Sequence, residues 1–310
     1  MMTEDGGYLG FKEMDAEAFR LFQLKCLDIL VYFKNICDEN KLTFFLAGGS
    51  AIGALRHKGF IPWDEDIDVF MPRPDYEKLT KIWNDVADTS RYIFCRNDKK
   101  TNFHHGAACV MDVNTTCVVE RNRDFDIPQG IVMDIIPLDG CPKSSLSRKI
   151  QLFHAMVFSL FNNQRLPENK SKTVYRASKI VLGIVRSKRI RDALWQRAEK
   201  KMIKYQYYNN DYITELIGSI HGMKIKHPIQ DFIQPEYVDF EGYKMPVMKG
   251  CDAYLRSIFG DYMELPPIES RLPKVRATYI NLNTGYANFR GKYYYVKKNK
   301  KRGKRNKVEA

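Results

Sequence analysis

Apolar residues at helical spacing open the chain. Phe19, Phe22, Cys26, Ile29, Leu30, Phe33 and Ile36 predict an amphipathic helix over 16–37, closed by Asn40. Residues 43–47 (TFFLA) read as a short buried strand that runs into the turn Gly48-Gly49-Ser50. A second helix over 51–56 starts directly from that turn, and Ile61-Pro62-Trp63 breaks it. The alternating segment 64–70 predicts a strand, and Asp75 after the turn 72–75 is a suitable N-cap for a helix to about residue 87. Further strands are expected at 92–95, 107–113, 116–120 and 131–136. Beyond Pro142 the pattern becomes helical over 144–165, 173–184 and 187–217, with Ser144 and Ser187 as caps. The stretch 225–265 is mixed and punctuated by prolines.

This order divides the chain into an α/β part with its leading helix, 1–142, and a mainly helical, loop-rich part, 143–296. The remainder, 297–310, begins KKNKKRGKRNK and reads as a disordered basic tail. The tail also carries about half of the net charge of +13, which would otherwise suggest nucleic acid. Without its eight basic residues and Glu309, 42 Lys/Arg face 36 Asp/Glu, so no specific nucleic-acid partner is expected. The tail could instead make a peripheral contact with an anionic membrane. Seven cysteines without a CxxC pair exclude a disulfide scaffold, and His104-His105 with Cys95 and Cys109 lacks zinc spacing. The acidic start is not a secretory signal, and no apolar run reaches the length of a membrane span. A cytoplasmic protein is expected, peripheral at the inner face of the plasma membrane if the tail binds there.

The chemistry concentrates in two segments, Leu46-Ala47-Gly48-Gly49-Ser50 and Trp63-Asp64-Glu65-Asp66-Ile67-Asp68-Val69. Glycines at a strand-to-helix turn let a ligand approach the backbone, and the helix N-terminus aims N–H groups at an anion. Ser50 adds a hydroxyl. On a strand, Asp66 and Asp68 share one face, and a divalent cation such as Mg²⁺ relieves their repulsion while binding substrate phosphates. Asp134, inside the apolar run VMDIIPLDG, is the favoured third carboxylate, because an isolated charge there would be costly. Asp139 is the alternative. A phosphate cradle beside a carboxylate cluster is equipment for phosphoryl transfer.

The block GGSAIGALRHKGFIPWDEDIDVFMPRPDYEKL (48–79) resembles the signature of the LicD/fukutin family. The resemblance continues through MDIIPLDG (133–140) to a closing block over 237–267, with Glu65 standing where the family often has Asp. It implies an α/β, nucleotidyltransferase-like core with a mixed sheet, completed by the helical C-terminal part. It also implies transfer of phosphocholine, or a polyol phosphate, from a CDP-linked donor to a cell-surface glycan or its lipid-linked precursor, with release of CMP. CDP-choline is the favoured donor, and Asp66, Asp68 and Asp134 would bind Mg²⁺ or Mn²⁺ and carry catalysis.

Gly48, Gly49 and Ser50 are expected at the substrate phosphates, together with Arg56, whose fork suits them. Trp63 is a candidate aromatic face for a quaternary ammonium, and Glu241 in Phe-Glu-Gly a candidate pocket residue. The competing readings are a nucleotidyltransferase acting on a small molecule, and a non-catalytic module for RNA or anionic lipid.

Overall fold

The computed structural model describes residues 2–98, 101–164, 172–218 and 220–296. The basic tail expected at 297–310 lies outside the described residues. The elements, in chain order, are α1 (Ala16–Asn40), β1 (Phe45–Leu46), α2 (Gly48–His57), β2 (Asp68–Pro72), α3 (Arg73–Val86), β3 (Tyr92–Cys95), β4 (Ala108–Asp112), β5 (Thr116–Val119) and β6 (Ile131–Cys141). There follow α4 (Ser145–Asn163), α5 (Lys172–Ile184), α6 (Lys188–Met202), β7 (Tyr212–Glu215), α7 (Ile220–Lys224), β8 (His227–Pro228), β9 (Pro235–Phe240), β10 (Tyr243–Met248), α8 (Cys251–Phe259) and β11 (Ala277–Asn281).

The chain forms two compact units. One comprises Met1–Phe22, Val113–Ile131 and the chain from Val275, and the other Gln23–Asp112 with Val132–Lys274. In the first, β5 pairs antiparallel with β11 over a small core of Val118, Tyr279, Phe289 and Tyr294. The Asp5 carboxylate accepts from Lys292, Thr3 and Tyr279, and these bonds hold it ionised below the usual range.

The second unit is built on a mixed sheet in the order β1-β2-β6-β4-β3, with β7 on the far half of β6 and β8 beyond it. β1 runs antiparallel to β2, β2 parallel to β6, and β6 antiparallel to β7. This is the α/β, mixed-sheet class the sequence implies. The face of α1 that carries Cys26, Ile29, Leu30, Phe33 and Ile36 is buried, as its periodicity predicts.

Several expectations are corrected. The segment 64–70 is not strand throughout, because β2 starts only at Asp68. Gln23 Nε2 donates to the carbonyls of Ile61 and Asp64, and Asp64 N donates to Ile61 O, so the backbone there is tied into a turn. Asp75 does not cap α3. Its carboxylate accepts from Thr43 N, and α3 begins two residues earlier, behind Pro72, without a side-chain cap. The helix expected over 187–217 ends at Met202, and Tyr212–Glu215 joins the sheet as β7. Its antiparallel pairing with β6, which buries both Ile213 and Thr214, outweighs the helical composition before it. β6 runs to Cys141, five residues beyond the expected strand.

No helix among the described residues is long and apolar enough to cross a membrane. All seven cysteines are free thiols.

Candidate active site

The glycine turn and the acidic segment meet at the start of α2. Gly48 adopts φ +50 and donates its N–H to the Tyr254 hydroxyl at 3.3 Å. A β-carbon at Gly48 would sit 3.8 Å from Asp68 Oδ2, and one at Gly49 would come within 2.3 Å of Asp64 Oδ2. The missing side chain at Gly49 therefore lets Asp64 close on the start of the helix, and at Gly48 it is the positive φ that favours glycine. Ser50 is buried, and its Oγ accepts from Asp68 N at 3.0 Å. Its hydroxyl proton is what it can offer a ligand. Ala47 N donates to Asp68 O, which fastens the same strand start to the same segment. The two glycines thus lie against the Asp64 and Asp68 carboxylates, and Ser50 against the Asp68 backbone.

Asp68 and Asp134 are direct register partners on the parallel strands β2 and β6. Asp66 lies before β2 rather than on it, yet Asp64, Glu65 and Asp134 all act electrostatically on it. Burial, and then these neighbours, push its carboxyl up to about 8. Asp68 is held well above the ordinary range by burial, then by Asp66, Asp134, Asp64 and Glu215. Asp64 rises to about 6 through burial and Glu65, with Lys274 and Arg56 opposing.

Several oxygen donors that resist ionising together suit a hard divalent cation. Among the described residues no three groups stand converged as a finished metal-ligand set. Asp139 is excluded from this cluster. It is fully buried in a bidentate pair with Arg73, both N–O distances 2.7 Å.

His105 Nε2 lies 3.0 Å from Asp134 Oδ2. Asn97 and Asn162 both donate to the His105 carbonyl, which fixes the loop that carries the ring. On the cationic side, Arg56 donates to the carbonyls of Tyr262 and Glu264, and the Arg271 guanidinium lies 5.3 Å from the centre of the Trp63 ring. Burial and then the Arg271 charge lower the pKa of Arg56, whereas Asp64 raises it. The two guanidinium groups repel each other, and Arg56 is held in place by its bonds to the two carbonyls and, through Nε, to His57 Nε2. One face of Trp63 is thereby given to a cation of the chain itself.

Glu241 sits in the two-residue turn between β9 and β10, where Glu241 and Gly242 both take positive φ. Its carboxylate packs over Gly59 and accepts from Phe60 N at 3.0 Å, so it secures the segment after α2.

His105, Glu215 and Arg271 were not foreseen in these places. The short segment 212–215 (YITE) carries no alternation that would single out Glu215, His105 comes from a loop without periodicity and Arg271 from a proline-flanked segment.

Comparison with known proteins matches residues 41–126 to the LicD/FKTN/FKRP nucleotidyltransferase-domain family. Over 267 residues the chain is 31% identical to the lipopolysaccharide cholinephosphotransferase LicD of Haemophilus influenzae, covering 83% of this chain and 96% of that one. Shorter matches occur to an uncharacterized protein of Rickettsia typhi (25% over 78 residues, 24% of this chain and 25% of the other). An uncharacterized protein of Rickettsia prowazekii matches similarly (24% over 85 residues, 26% and 32%). The matched family segment holds the glycine turn, Asp64, Asp66, Asp68 and His105, and the longer alignment nearly exhausts a known transferase: the chain belongs to the LicD family.

Proposed function

We propose that the protein transfers phosphocholine from CDP-choline to a hydroxyl of a lipopolysaccharide-type glycan and releases CMP. The observation that carries this reading is the alignment over 96% of the Haemophilus cholinephosphotransferase. The juxtaposition of Asp66, Asp68 and Asp134 with the start of α2 and with the Arg56–Arg271 pair supports it. In the proposed reaction the acceptor oxygen bonds to the choline-bearing phosphorus and the bond from that phosphorus to the CMP oxygen breaks. The hydroxyl proton passes to a base.

In this reading a carboxylate of the cluster would accept that proton, with the His105–Asp134 contact as the nearest proton-bearing partner, and Arg56 would pair with a donor phosphate. Mg²⁺ or Mn²⁺ on Asp66, Asp68 and Asp134 would neutralise charge on the diphosphate and the leaving phosphate. A cytoplasmic location, where all seven thiols stay reduced, completes the reading. The test is CMP release in Mg²⁺ with CDP-choline, CDP-glycerol and CDP-ribitol in parallel. CMP from CDP-choline alone is the expected result. Turnover of a CDP-polyol without turnover of CDP-choline overturns the donor assignment, and pyrophosphate release from a nucleoside triphosphate would establish a nucleotidyltransferase instead.

A further inference from the structure

The helices that follow β6 carry more apolar surface than their own core uses. Inside, α4, α5 and α6 pack Ala155, Phe158, Phe161, Leu182, Trp195 and Met202 together. On its other side α4 exposes Leu146, Ile150, Phe153 and Met156, at 68, 45, 57 and 44% of their surface. Steps of four, three and three residues place them in one stripe along the helix. α5 and the start of α6 expose Ile180, Ile184 and Ile190, at 61, 76 and 54%. Isolated exposed apolar residues need no explanation, but a stripe over three helical turns, with further exposed isoleucines on the two helices that follow, marks an interaction surface.

The charge around these residues identifies the partner. Between Asp139 and Asp192 the sequence holds twelve Lys and Arg and a single acid, Glu168. Lys149, Arg176, Lys179, Arg186, Lys188 and Arg189 are all exposed. Ile150, Ile180 and Ile190 each follow a basic residue directly in the chain. Apolar side chains interleaved with cations and free of acids match the boundary between headgroups and acyl chains of an anionic bilayer. A second copy of this chain is a poor match, because a two-fold contact would set one cationic face against another. Nor can α4 insert across a bilayer, since its inner face carries Arg148, Gln151 and Asn162, all buried against the rest of the unit.

We propose that the outer face of α4, α5 and the start of α6 docks on an anionic phospholipid surface, with these helices lying in its plane. This contact is separate from the basic segment 297–310 and holds whichever donor the enzyme uses. The experiment is sedimentation of the full-length protein with vesicles of equal parts phosphatidylglycerol and phosphatidylcholine, and with phosphatidylcholine alone. The comparison is the variant Ile150→Gln/Phe153→Gln/Ile180→Gln/Ile184→Gln, whose altered positions are exposed, with thermal melting and CMP release in solution as controls for folding.

Wild type should bind the anionic vesicles well above the neutral ones. The variant should lose about tenfold or more of that affinity while its melting and solution turnover stay unchanged. Deletion of 297–310 should leave a substantial part of the binding. The proposal is overturned if the variant binds like wild type, if wild type does not bind, or if deletion of the tail alone abolishes binding. It is equally overturned if wild type is a dimer that the four substitutions dissociate, for then a second copy covers this face.

Discussion

Replacing Asp66 by Asn should make the metal-free protein more stable and nearly inactive at once. Asp66 ionises at an ordinary 3.8 in the unfolded chain and near 8 in the folded cluster. At pH 7 folding therefore makes it take up a proton, at about 1.4 kcal/mol for each pH unit between 3.8 and 7, or roughly 4 kcal/mol in all. The side chain is half-buried, and solvent screening reduces this to about 2 kcal/mol. Asparagine keeps the shape and removes the cost, so the melting temperature should rise by roughly 3–6 °C for a chain of this size.

The native carboxyl holds its proton to a higher pH than the unfolded one. The wild type therefore loses stability as pH rises from about 4 to about 8, and the variant should show a flatter profile across that window. Turnover should fall about 10²–10³-fold, the rate equivalent of ~3–4 kcal/mol of lost transition-state stabilisation. Calorimetry with and without Mg²⁺, beside CMP release, checks both halves: Mg²⁺ should stabilise the wild type and do little for the variant. Near-wild-type turnover at saturating Mg²⁺, or a lower melting temperature, would refute the assignment of a strained, cation-seeking cluster.

Asp139→Asn should behave in the opposite way. It leaves Arg73 charged and buried without its partner, so stability should drop by about 3–5 kcal/mol in denaturant titration while turnover per folded molecule persists. Trp63→Ala removes the surface on which Arg271 rests. If the ring also meets choline, KM for CDP-choline rises by the equivalent of about 0.5–2 kcal/mol with CMP inhibition unchanged, and equal loss for both ligands restricts the ring to supporting Arg271. His227, packed against Tyr254 and Phe232, is held neutral by burial down to about pH 4. Its unfolded form takes up a proton near 6.5, so stability should fall as pH drops from 6.5 towards 4, and His227→Gln should remove that slope in urea melts across the range.

Where neighbours in sequence determine the outcome, the sequence alone was sufficient. The periodic face of α1, the strand at Tyr92–Cys95 and the cap at Ser144 follow from local spacing and side-chain chemistry. The family signature likewise lies in one contiguous block. Even there the reason for Asp66 and Asp68 standing together was misread. They do not share a strand face. The turn held by Gln23 delivers Asp66, and the Ser50 hydroxyl fastens Asp68.

Long-range contacts decided the rest. The choice of Asp134 over Asp139 depends on which residue β2 brings alongside and which one Arg73 reaches from α3, and neither is written in the motif VMDIIPLDG. His105 and Glu215 arrive from segments 29 and 147 residues away from Asp134 and Asp68, and Arg271 acts on Arg56 from 215 residues away. A charge on a distant segment leaves no periodic trace in the chain. Parallel pairing of β2 with β6 sets Asp68 beside Asp134, and the addition of β7 brings Glu215 within electrostatic reach of them.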